Sequence, residues 1–200
     1  MADIKHRIGI MGGTFDPIHM GHLILGEKAY EQFRLEKVLF MPSGNPPHKR
    51  NRQGRATDEE RVEMVRRAIA GNPHFELSLT EMHENGYTYT YHTLEMLKEK
   101  NPDTDYYFII GGDMVEYLPK WHRIDDLLHL VQFVGIRRPN YPTESTYPII
   151  WVDVPQMAIS STLIRQKVKS GCSTRYLLPE NVINYIQEKG LYQDELDNKL

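Results

Sequence analysis

Apolar residues fall along this chain in short runs separated by longer amphipathic stretches. Ile8-Gly9-Ile10-Met11 is the first run. A glycine-rich turn follows it, then a helical stretch from about Met20 to Leu35. Val38 to Met41 is the second run, closed by Pro42. Thr57 and Glu60 stand in capping-box spacing, and the helix they open carries Val62, Val65 and Ile69 on one face and stops near Gly71. Phe75, Leu77 and Leu79 alternate as a strand would. Thr90 or Thr93 starts a helix with Leu94 and Leu97 inward. Tyr106 to Ile110 is almost wholly apolar, the pattern of a strand covered on both faces. Val131 to Ile136 and Ile149 to Val154 read as two further strands, and helices from about Ser160 to Ser170 and Pro179 to Lys189 close the chain. This alternation predicts an α/β fold with a doubly wound, mostly parallel sheet. In such sheets ligands bind beyond the carboxyl ends of the strands.

Composition narrows the class. With 200 residues, 40% hydrophobic and 26% charged, the chain reads as one globular domain over 1–200 with a core that needs no disulfide or metal staple. A single cysteine, Cys172, excludes an internal disulfide or a CxxC site. No uncharged run is long enough to span a bilayer, and Met1 to Arg7 lacks the apolar segment of a signal peptide, so a reducing cytoplasm is expected and no membrane partner. The net charge of −3 argues against a nucleic-acid partner, because backbone affinity needs a broad basic surface. Positive charge is instead local. Ser43 to Arg55 is a loop rich in proline, glycine and basic residues, among them Lys49.

The segment from Gly12 to His22 carries the first candidate chemistry. It is neither a Walker A loop nor GxGxxG. Gly12 and Gly13 allow close backbone approach to a ligand, and the helix start that follows offers unpaired N–H groups and a positive dipole end. His19 and His22, three apart, share one face of the first turn. Phosphate binding is one reading. A second is purely structural, since His22 shares a stripe with Ala29 and Phe33 and the two glycines could form only a tight turn. A third makes Asp16, His19 and His22 a metal site, although the ligand spacing is unconvincing.

Gly13-Thr14-Phe15-Asp16-Pro17-Ile18-His19-Met20-Gly21-His22 resembles the HxGH motif of the nucleotidyltransferase superfamily. Ile159-Ser160-Ser161-Thr162-Leu163-Ile164-Arg165, about 140 residues downstream, resembles its ISSTxIR motif. Within that superfamily the chain is most similar to the bacterial nicotinate mononucleotide adenylyltransferases, and the likeness runs nearly end to end. Pro42 to Lys49 resembles a PxxxPPHK loop, and Thr88-Tyr89-Thr90 a Tyr-Thr segment. Gly111-Gly112-Asp113 with Leu118 to Trp121 resembles GxD…LPxW, and Arg138-Pro139 and Tyr185 to Tyr192 complete the pattern. His92 stands where the family has Asp, which touches helix capping, and Asn140 where it has Gly, which touches a loop near the adenine.

The resemblance implies a Rossmann-like nucleotidyltransferase fold whose C-terminal helical part, about 159–192, carries the second motif. It implies transfer of the adenylyl group of ATP to nicotinic acid mononucleotide, giving nicotinic acid adenine dinucleotide and pyrophosphate in NAD biosynthesis. His19, His22, Lys49 and Arg165 would be catalytic. Gly12, Gly13, Thr14, Phe15, His19, His22, Ile159, Ser160, Ser161, Thr162 and Arg165 would bind ATP. Asn45, Lys49, Thr88, Tyr89, Thr90, Asp113, Trp121, His122 and Arg138 would bind the mononucleotide. Mg²⁺ would come with ATP, with no protein side chain as its ligand. A homo-oligomer is left open.

Each segment also makes physical sense. Ser160 to Thr162 begin a helix, where hydroxyls and free N–H groups form an anion site, and Arg165 one turn on can reach the same phosphates. The bland alternative is a capping serine and a solvated arginine. Trp121 reads as an exposed stacking surface, or as core. Asp113 at a strand end suits a sugar hydroxyl or an N-cap. The mononucleotide's own phosphate is already ionised, so the chemistry needs alignment and charge neutralisation and no general base. Two rivals stand beside this reading. Pantetheine-phosphate adenylyltransferases share HxGH but are usually shorter and lack the Tyr-Thr and LPxW segments, and a nucleotide sensor without turnover would keep the pocket alone.

Overall fold

The computed structural model describes residues 6–44, 54–82, 89–136, 145–154 and 157–193. Six parallel strands form one sheet in the order β3-β2-β1-β4-β5-β6. They are β1 (His6–Gly13), β2 (Lys37–Pro42), β3 (Phe75–Leu77), β4 (Thr104–Ile110), β5 (Val131–Ile136) and β6 (Ile149–Val152). Between and after them run α1 (Met20–Phe33), α2 (Asp58–Ile69), α3 (Thr90–Lys100), α4 (Gly112–Val115), α5 (Ile124–Leu130), α6 (Ser161–Lys169) and α7 (Glu180–Lys189). This is the doubly wound sheet expected from the alternation of elements. Its strand order reverses between β1 and β4, the switch point beside whose carboxyl edge such sheets bind their ligands.

The apolar runs explain the sheet. Ile10, Phe40, Phe108, Ile109 and Phe133 are each at most 2% exposed, as strands covered on both faces require. One core lies under α1, α2, α6 and α7, where Val38, Met64, Val65, Ile164 and Val182 pack together. A second lies under α3 and α5, built from Leu94, Tyr106, Phe108, Leu127 and Phe133. The Thr57 capping box forms as its spacing predicts: the Thr57 N–H donates to Glu60 at 2.7 Å, and the Glu60 N–H donates to Thr57 Oγ1 at 3.3 Å. β3 is shorter than its pattern, because Leu79 has left the sheet and is half exposed. Among the described residues no helix is long and apolar enough to cross a membrane.

Candidate active site

The two motifs meet at the carboxyl edge beside the switch point. The loop between β1 and α1 is held from three directions. Ser43, just past β2, donates its N–H to the Gly13 carbonyl at 2.8 Å, so the turns after β1 and β2 start side by side. Arg61 of α2, 3% exposed, donates to the Thr14 carbonyl and, at 2.8 Å, to the Ser43 carbonyl, with Asp58 accepting at 2.6 Å. Asp16, 4% exposed, accepts from Arg55 at 2.7 Å, the Ala56 N–H at 3.2 Å and the Tyr192 hydroxyl at 2.7 Å. The carboxylate that the metal reading drew on is thus committed to an arginine, a main-chain N–H and a phenol. Burial and the adjacent Asp16 charge push the Tyr192 phenol well above its ordinary range, which keeps it a donor.

This frame delivers the histidines. His19 is the extended N-cap of α1, and the next N–H, of Met20, donates to the Leu177 carbonyl at 2.9 Å. The two imidazoles stack at 3.7 Å with 24° between their planes. The His19 N–H donates to His22 Nδ1 at 3.1 Å. A neutral His22 ring accepting at Nδ1 carries its proton on Nε2. Gly21 is explained here: a Cβ on it would stand 3.0 Å from His19 Nδ1 and 3.1 Å from its Cε1. Phe15 has a left-handed φ of 50° and a ring 2% exposed, set edge-on to His22 at 5.1 Å, so it offers only its main chain to a ligand. Gly12 is likewise tight, since a Cβ would meet the Phe108 ring at 3.0 Å.

The second motif docks on the first. Arg165 donates to the Asp16 carbonyl at 2.6 Å, a bond between positions 149 apart, and to Thr162 Oγ1 at 3.1 Å. Ser161 donates its hydroxyl to the Pro17 carbonyl at 2.9 Å. Ser160 caps α6 by accepting the Leu163 N–H at 3.1 Å. Ile159 packs its side chain into the core at 7% exposure. The Ser161 hydroxyl and the Arg165 guanidinium therefore build the junction between the two motifs.

A third group gathers at the start of α3. Tyr89 is its N-cap and is 45% exposed, with its ring 4.5 Å from that of His122. Trp121 is half-buried and edge-on to Phe108 at 5.7 Å and Phe133 at 6.1 Å, so it is a rim residue of the second core and not the open surface its polar neighbours suggest. α3 begins with no side-chain cap and no acid in its first turn, and His92 lies exposed near Glu95 at 3.7 Å. Thr90 turns its side chain to Glu81. Burial pushes the Glu81 carboxyl up to about 7, against the lowering effect of hydrogen bonds with Thr90 and Thr93.

Asn45, Lys49, Thr88, Arg138 and Asn140 lie outside the described residues, as does the side chain of Asp113, whose main chain opens α4 just past β4. The sequence reading missed Arg61, Glu81 and the joining role of Asp16. Arg61 had a signal: it shares the buried stripe of Val65 and Ile69 at i+4 and i+8, where an unpaired arginine would be costly. Glu81 had none, because an acidic residue in a strand-to-helix connection looks solvated.

A cytidylyltransferase-like family model matches residues 10–167. A relative from Enterococcus faecalis, named "Probable nicotinate-nucleotide adenylyltransferase", is 68% identical over 98% of this chain and 89% of its own length. The nicotinate-nucleotide adenylyltransferase of Bacillus subtilis is 47% identical over 94% of this chain and 98% of its own. A solved structure of Plasmodium falciparum nicotinic acid mononucleotide adenylyltransferase complexed with NaAD superposes with a TM-score of 0.79, covering 94% of this chain and 97% of that one. At 21% identity that last likeness shows the fold. On its motifs, its fold and these relatives, the chain belongs to the nicotinate-nucleotide adenylyltransferase family of cytidylyltransferase-like nucleotidyltransferases.

Proposed function

We propose that this enzyme joins ATP and nicotinic acid mononucleotide, releasing pyrophosphate and nicotinic acid adenine dinucleotide, as a step of NAD biosynthesis. The observation that carries the reading is the Arg165–Asp16 bond, which seats the guanidinium of α6 beside the loop that carries the histidine pair of α1. Two anions must be brought together, and negative charge then grows on the α-phosphate and the leaving pyrophosphate. The His22 ring, the Arg165 guanidinium and the N-terminus of α6 are donors suited to that charge. His19 and Lys49 are assigned to the same task. The mononucleotide phosphate attacks in its ionised form, so no proton has to be removed first.

Magnesium belongs to this reading as the counter-ion of ATP. Among the described residues no three His, Cys, Asp or Glu side chains converge, and the donors present suit an anion, so the triphosphate itself is assigned as the ion's ligand. It supplies charge neutralisation on the phosphates. The pyridine end is assigned to the start of α3 and the turn at Trp121 and His122, with Tyr89, Thr90 and, from the sequence, Asn45, Thr88, Asp113 and Arg138.

A substrate panel at fixed ATP and Mg²⁺ tests the function. Pyrophosphate release should require the mononucleotide and should not occur with 4′-phosphopantetheine. A charged hydrogen bond contributes about 1.5–3 kcal/mol, so kcat/KM for the acid should exceed that for the amide by roughly 10- to 100-fold. Equal values would remove the pyridine-end assignment and leave adenylyl transfer standing. Absence of turnover with either mononucleotide would favour a sensor.

A further inference from the structure

We propose that Glu81 is a positioning residue for the pyridine end of the mononucleotide. Its carboxyl group is 4% exposed and holds the side chains of Thr90 and Thr93, the first and fourth residues of α3. Its main-chain carbonyl accepts the Gly44 N–H at 3.2 Å. The approach at Gly44 is so close that a Cβ there would lie 2.5 Å from the same carbonyl oxygen. One residue thus fixes the turn leaving β2, from which the basic segment departs, to the turn entering α3.

The consequence concerns which donors a ligand meets. A threonine at a helix start can offer its hydroxyl or its main-chain N–H. The Thr90 hydroxyl is already engaged by a buried carboxyl, so the main-chain N–H groups of Thr90 and Tyr91, which precede the first N–H bonded to the Tyr89 carbonyl, are what remains for a pyridine carboxylate. Thr93 is 3% exposed and serves as the inner half of the same clamp. Removing the carboxyl frees the Thr90 side chain to rotate and releases the helix start. The reacting phosphates lie at α1 and α6, which the clamp does not touch, so the loss should fall on mononucleotide binding.

This inference rests on the assignment of the start of α3 to the pyridine ring. Steady-state constants for both substrates are measured on the full-length enzyme and on Glu81→Ala, Glu81→Gln and Thr90→Val. Glu81→Ala should raise KM for nicotinic acid mononucleotide about tenfold, the effect of losing one aligned hydrogen bond, with KM for ATP and kcat within about twofold. Glu81→Gln keeps an acceptor oxygen and should recover most of that loss. Thr90→Val removes the hydroxyl and keeps the main-chain N–H, and should raise the same KM alone, which serves if Glu81→Ala does not fold. Equal movement of both KM values, or no movement in Thr90→Val, overturns the inference. Failure of the wild type to use the mononucleotide would overturn the functional reading instead.

Discussion

The Tyr192 hydroxyl donates to Asp16 Oδ1 at 2.7 Å, tying the end of the chain to the loop between β1 and α1 across 176 positions. Both residues are buried, and the same Asp16 presents its main-chain carbonyl to Arg165. The turn after α7 is therefore joined through Asp16 both to the loop that carries the histidines and to α6. Tyr192→Phe keeps the ring and deletes only the donor, while Asp16 retains Arg55 and the Ala56 N–H. A hydrogen bond to a charged group contributes about 1.5–3 kcal/mol, and each kcal/mol shifts Tm by roughly 2–4 °C at this size. The variant should melt roughly 3–12 °C lower by calorimetry, with kcat reduced several-fold. An unchanged Tm would show that the hydroxyl contributes nothing net.

Gly21 separates stability from activity. Alanine is the better helix former by up to about 1 kcal/mol, so Gly21→Ala should leave Tm unchanged or slightly raised. Its new Cβ would nevertheless stand 3.0 Å from His19 Nδ1, and the imidazole must give by a few tenths of an ångström in its stack on His22. A displaced donor at a transition state costs rate, so kcat should fall about tenfold or more. Full activity in this variant would show that the His19 ring position does not matter.

Alanine at His22 or Arg165 tests the charge-stabilising donors directly. Each should lower kcat roughly 10²-fold with KM changed far less, because the growing charge exists only in the transition state. His22 also rests on Phe15, and Arg165 also holds the Asp16 carbonyl, so a melting curve accompanies each assay. Arg165→Lys keeps the charge but not the fork and should remain impaired. Near-normal turnover in His22→Ala would restore the reading of His22 as a packed core residue.

The sheet was legible because its inner strands β1, β2, β4 and β5 are largely apolar runs covered on both faces, while β3 showed by alternation and β6 as a short apolar run at the edge. α1, α2, α3, α6 and α7 were legible from caps and periodicity. Residues 112–130 were not: α4, the short 3₁₀ turn Leu118–Lys120 and α5 are brief, and local turns and the packing of Leu118, Ile124 and Leu127 set them, with no sustained period. At the candidate site, the motifs name His19, His22 and Arg165, and the structure joins the segments that carry them. The joints that place them could not be read, because Arg165 to Asp16 and Tyr192 to Asp16 join main chain or side chain across most of the sequence. Ser161 illustrates the difference. Its hydroxyl reads as an anion donor, whereas it is a strut to Pro17.

Glu81 gives a stability test that is independent of turnover. The carboxyl titrates near 4.5 when solvated and at about 7 in the folded chain, because burial disfavours its charge. Between those pH values the folded protein holds a proton that the unfolded chain has released. The contribution is fully present below pH 4.5 and is lost as pH rises to about 7, above which it is flat. Glu81→Gln cannot ionise and lacks that loss. Its unfolding free energy relative to the wild type should therefore climb between pH 4.5 and 7 and then level off, by at most roughly 3 kcal/mol at 1.36 kcal/mol per pH unit. Urea unfolding of both proteins at pH 5, 6, 7 and 8 measures the difference. A difference that stays constant across the series would mean that this carboxyl keeps its ordinary titration in the folded chain.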